Sequence, residues 1–138
     1  MADNNLTDIF SISGSAMQAQ QQRMKVIAEN IANANTTPTS PGQKPYQRQV
    51  ITFKNEFDKA IGAYKVKSAG VRLDNSEFNK KYDPSNPIAD AQGYIQTPNV
   101  NPLLEMMDMN DASHSYQANL NVIDSTRGMV IRTIGLLQ

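Results

Sequence analysis

The chain has a single histidine, His114, set between Ser113 and Ser115. A Ser-His-Asp triad needs an imidazole placed between a serine and an orienting carboxylate, and a structural zinc site needs several nitrogen or sulfur ligands. One histidine and no cysteine leave both chemistries essentially without parts, and His114 reads as a surface or interface residue. Asp108-Met109-Asn110-Asp111 opens with a calcium-loop spacing but lacks the following Gly and the distant Glu, and it lies inside a helical periodicity. Asp83 and Asp90 flank a proline-rich turn, where aspartate is a turn former. Lys65, Lys67, Lys80 and Lys81 are too few for a polyanion site and fit a solvated face. No glycine-rich phosphate loop is present. Nothing in this inventory is arranged for catalysis, so the sequence predicts a protein that is not an enzyme, with no catalytic residue, no metal and no cofactor.

The absence of cysteine also excludes disulfide frameworks and thiolate metal sites. Thirteen basic and thirteen acidic residues in a chain of 138 give zero formal charge. That argues against nucleic acid, which selects an excess of Lys and Arg on one face. No apolar run approaches the roughly 18–20 residues needed to span a bilayer, so direct membrane insertion is not expected. The opening residues Met-Ala-Asp-Asn-Asn-Leu-Thr-Asp lack the basic and apolar regions of a secretory signal. Composition alone would place the chain in the cytoplasm.

With no chemistry to position, the informative feature is packing. From Met106, steps of three and four residues reach Met109, Ser113, Tyr116, Leu120, Ile123, Arg127, Val130, Ile134 and Leu137. Most are apolar, and the stepping holds throughout, which predicts a heptad seam on one long helix over about 101–137. A matching seam near the start runs through Leu6, Phe10, Ser13, Met17, Gln20, Met24, Ile27, Ile31 and Ala34. That helix is expected from about Asp3–Leu6, capped by Asp3, Asn4 or Asn5, to about Ala34, where Asn33 and Asn35 tolerate a left-handed end. The run Thr36-Thr37-Pro38-Thr39-Ser40-Pro41-Gly42 stops it.

The middle is β-branched and aromatic. Tyr46–Phe53, Tyr64–Lys67, Val71–Leu73 and Tyr94–Thr97 read as short strands, with turns at 83–87 and 90–93. The fold class expected is mainly α with a small β part: long terminal helices in an antiparallel coiled-coil-like pair around a β-hairpin or three-stranded middle. Three segments follow, residues 1–42, 43–100 and 101–138.

Length argues for assembly. At 1.5 Å per residue the two helices would run roughly 43 and 55 Å, whereas a compact domain of this size is only about 37 Å across. The seams contain Ser13, Gln20, Ser113 and Arg127, which makes the pair alone a poor one. Flanking stripes of smaller residues accompany them: Ile9, Ile12, Ala16, Ala19 and Val26 on the first helix, and Ala112, Ser115, Asn119, Val122, Thr126, Met129, Thr133 and Leu136 on the second. The expectation is that neighbouring subunits cover these flanks. A standalone helical-hairpin adaptor or chaperone-like protein is the alternative.

Asn30-Ile31-Ala32-Asn33-Ala34-Asn35-Thr36, closing an N-terminal helix, resembles the signature of bacterial flagellar rod and hook axial proteins. Asn99-Val100-Asn101 and Ser115-Tyr116-Gln117-Ala118-Asn119 resemble that family's companion signature, and the run Asn86–Tyr94 followed by Pro98-Asn99-Val100 resembles its proximal rod members. One departure stands out: Thr37 to Pro45 intervene before Tyr46, where other rod subunits continue straight into Pro-Gly-Tyr. The resemblance implies a structural subunit of the basal-body rod, polymerising through its terminal helices into a tubular driveshaft around an export channel. It implies copies of itself, other rod subunits, a ring-to-rod adaptor and the flagellar type III export apparatus as partners. It also implies a periplasmic location reached without a cleaved signal peptide, with Leu6 to Gly14 as a possible export signal. Packing would then fall to the seam residues Leu6, Phe10, Met17, Met24, Ile27, Ile31, Met106, Met109, Tyr116, Leu120, Ile123, Val130, Ile134 and Leu137.

Overall fold

The computed structural model describes residues 2–40 and 42–136, with side chains from residue 7 onward in those stretches. Helix α1 spans Ala2–Asn33 and helix α2 spans Pro102–Gly135. Between them lie β1 (Gln49–Asp58), β2 (Ala63–Leu73), β3 (Asn79–Tyr82) and β4 (Tyr94–Thr97). The strands form two separate two-stranded sheets, β1 with β2 and β3 with β4. Two long terminal helices around a middle of small antiparallel strands therefore match the expected class. The middle is neither one hairpin nor a three-stranded sheet.

By contact the chain divides into two compact units, each drawing on both helices. The first comprises Met1–Met24, Ile51–Gly70 and Asn110–Gln138; the second comprises Lys25–Val50 and Val71–Met109.

In the first unit, β1 and β2 join through a tight turn at 59–62. The strand pattern predicted β1 to end at Phe53, yet it continues through Lys54, Asn55 and Glu56. Residues of low strand propensity are held there by cross-strand partners. Lys67 meets Glu56 at 3.0 Å, Lys65 meets Asp58 at 2.7 Å, and the Phe57 and Tyr64 rings pack edge-on at 5.1 Å. The Lys65 ammonium, with the Ala60 amide, holds the Asp58 carboxyl below the usual carboxylate range. The two predicted segments after the turn are one strand, because Gly70 takes φ 114° and lets β2 pass through. Ser15 ties β2 to α1: its Oγ donates to the Ile12 carbonyl at 2.7 Å and accepts the Val66 amide at 3.3 Å.

In the second unit β3 pairs antiparallel with β4, placing Asn79 opposite Thr97 and Tyr82 opposite Tyr94. Asn-Lys-Lys-Tyr has no apolar alternation, and the sequence pattern missed it. Backbone pairing, the Asn79 side chain on the Pro98 carbonyl (2.9 Å) and the edge-on Tyr82–Tyr94 contact hold it in place. The turn before β4 is built by Asp90, whose Oδ1 accepts the amides of Gln92 and Tyr94.

The seam positions behave unevenly. On α1, Ile27 is buried, Phe10, Met17, Met24 and Ile31 are half-buried, and the Leu6 side chain lies outside the described residues. On α2, Met109, Tyr116, Leu120, Ile123 and Val130 are half-buried, Met106 and Ile134 are exposed, and Leu137 lies outside the described residues. The flanks, expected to await neighbouring subunits, are instead partly covered by the chain itself. Ala19, Val26, Ala112 and Thr126 are buried, because small side chains allow the close approach that large ones forbid. The Thr126 hydroxyl donates back to the Val122 carbonyl at 2.8 Å, so its burial leaves no unmet group.

Gly93 and Gly14 should respond oppositely to alanine. Gly93 has φ 83°, and a Cβ there would lie 2.9 Å from the Tyr82 ring and 3.1 Å from Pro84. Gly14 is helical, with nothing within 4 Å of an added Cβ. Urea unfolding of purified protein is expected to show Gly93→Ala destabilised by about 1–3 kcal/mol and Gly14→Ala stabilised by up to about 1 kcal/mol.

Candidate functional site

The end of α1 and the beginning of α2 are both set by asparagine. At the end of α1 the Asn33 side chain donates to the Glu29 carbonyl at 2.8 Å, while the Asn33 carbonyl accepts the Thr36 hydroxyl at 2.7 Å. At the start of α2 the Asn101 Oδ1 accepts the amides of Leu103 and Leu104 at 3.1 and 3.4 Å. Pro102 occupies the first helical position, where no amide is needed. Fixing these ends places Asn30 in the last turn of α1 and Glu105 in the first turn of α2.

These two side chains are each 1% exposed, and they meet. The Asn30 Nδ2 donates to Glu105 Oε2 at 3.0 Å and to the Gln49 carbonyl at 2.8 Å. Its Oδ1 accepts the Tyr46 hydroxyl at 3.0 Å and the Gln49 amide at 2.9 Å. Both donors and both acceptor positions of the amide are thus engaged. The other oxygen of Glu105 accepts the Arg48 Nε at 2.6 Å. Arg48 also reaches Asp74 at 3.4 Å and Asp108 at 3.7 Å.

Asn99 closes the arrangement. Its Oδ1 accepts the Arg48 amide at 2.8 Å, and its Nδ2 donates to the Asp74 carbonyl and to Ser76. The Asp74 amide returns to the Arg48 carbonyl at 2.8 Å.

The electrostatics agree with this geometry. Burial on its own would pull the Arg48 guanidinium down, but the Glu105 contact and then Asp74 overcome it and leave the group raised. The Asp74 carboxyl is held below its ordinary value of 3.8, first by the Ser76 amide against a desolvation penalty, with Arg48 adding to the effect. Tyr46 is raised by burial and then by Glu29, which keeps its phenol protonated to donate to Asn30. A cation, carboxylates and amides held this way can fix one helix end against the other. Among the described residues no group of three or more His, Cys, Asp or Glu could hold a metal, and no helix is long and apolar enough to cross a membrane.

Of the signature residues, Asn30 and Asn99 enter this network, and Asn33 and Thr36 cap α1 beside it. Ala32 and Asn35 are exposed. Ser115, Tyr116, Gln117, Ala118 and Asn119 belong to the other unit. There Asn119 donates to the Ser115 carbonyl at 2.8 Å and Gln117 to Asn121 at 3.2 Å. Sequence reasoning missed Arg48, Asp74 and Glu105 altogether. The available signal was an arginine inside a strand-like run, and a glutamate exactly one heptad before the small residue Ala112.

Comparison with known proteins bears on what this arrangement serves. Residues 10–38 match the family model for the flagella basal body rod protein, and residues 91–136 match that for the flagellar basal body rod FlgEFG protein C-terminal region. The flagellar basal-body rod protein FlgC of Agrobacterium fabrum is 46% identical over 133 residues, covering 96% of each chain. FlgC of Escherichia coli O6:H1 is 39% identical over 96% of this chain and 98% of its own. FlgC of Bacillus subtilis is 34% identical over 91% and 93%.

Truncating Arg48 leaves the buried Glu105 carboxylate without its cation. Arg48→Ala is expected to cost about 3–5 kcal/mol in urea unfolding, whereas Arg48→Met with Glu105→Met together should cost far less. Asp74 sets an acid dependence. Its folded value is depressed, so its contribution is present above the ordinary carboxylate value of 3.8 and is lost as pH falls through the lower folded value. Stability measured from about pH 5 down to about pH 2 should therefore fall less steeply in Asp74→Asn than in the parent.

Proposed function

The chain belongs to the FlgC family of flagellar basal-body rod proteins, and from that premise we propose how its helices build the rod. It is a structural subunit of the flagellar basal body and not an enzyme, and it interacts with other basal-body rod components. The near full-length identity to FlgC proteins carries this reading.

The finer reading is a tube. α1 and α2 pair in antiparallel, coiled-coil-like fashion, and copies pack side by side around an export channel, with the β-rich segment 43–100 outward. The subunit crosses unfolded through the flagellar type III apparatus without a cleaved signal peptide, and the rod stands in the periplasm. Copies of itself, neighbouring rod subunits and the ring-to-rod adaptor are its partners. A driveshaft must resist twist, so torque passes through many interlocked helices rather than one hinge.

What supports the packing role of the seam is its incomplete coverage within one chain. Tyr116, Leu120, Ile123 and Val130 are only half-buried, and Met106 and Ile134 are exposed. Large apolar side chains in that condition gain about 25 cal/mol for each Å² that a neighbour covers.

Ile123→Asp separates folding from assembly. In the free chain the half-buried site lets the carboxylate reach water, so unfolding of the purified variant should change by less than about 1–2 kcal/mol. In the packed rod the same charge loses its water, at a cost of several kcal/mol. Cells carrying the variant should export the chain, lack it in isolated basal bodies and fail to swim on soft agar. Normal swimming would overturn the packing role given to α2.

A further inference from the structure

We draw no further inference here: the strongest candidate, the exposed apolar patch that Leu103, Leu104 and Met107 form on the opening turns of α2, carries nothing because nothing in the structure shows what covers it.

Discussion

A carboxylate withdrawn from water must find a cation and hydrogen-bond donors, or its desolvation outweighs whatever its burial brings. Glu105 is in that position, and the second unit is arranged around meeting its demand. One oxygen takes the Arg48 Nε and the other the Asn30 amide. Those partners lie at the end of α1 and at the entry to β1, while Glu105 itself opens α2. Satisfying one group therefore fixes three elements at once. Arg48 in turn holds Asp74, and Asn99 holds both the Arg48 amide and the Asp74 carbonyl. A hydrophobic cluster could supply comparable stability, but apolar contacts are non-directional. A fully engaged polar set accepts one register of the helix ends and penalises the others.

Along α2 the distribution of apolar side chains is inverted relative to a self-sufficient globule. Ala19, Ala112 and Thr126 are buried, while leucines, isoleucines and methionines of α2 face outward. Small buried residues let backbone elements approach closely with little apolar area removed from water. In the rod reading proposed above, the large ones await cover by neighbouring subunits. A structural subunit gains from this division. Membership of a rod protein family gives that arrangement its purpose, because a rod is made by repeated contacts between subunits rather than by a site for a small molecule.

Much of the outline was legible from the chain itself. The three-and-four stepping marked both long helices to within a few residues of their ends, since a regular helix repeats its side chains at a fixed angle whatever packs against it. The caps were read less well: α1 already begins at Ala2, so Asp3, Asn4 and Asn5 lie within it. Neither Asn33 nor Asn35 takes the left-handed end expected, the Asn33 and Thr36 side chains closing the helix instead. The asparagine signatures located Asn30 and Asn99 before any geometry was known. The strands were less readable. β1 runs on through Lys54 and Glu56 because Lys65 and Lys67 stand across from it, and β3 exists because β4 lies beside it.

By itself, then, the sequence determined what depends on near neighbours along the chain: two long helices and the turns that precede the last strand. The tertiary structure alone decided which stripe of each helix turns inward, and that Arg48, Asp74 and Glu105 meet. Arg48 and Glu105 are separated by 57 residues, and no periodicity relates positions that far apart. A stripe of large apolar residues also reads the same whether its own chain or a neighbour is to cover it. Only the closeness permitted by Ala112 and the charge demand of Glu105 select the face that turns in.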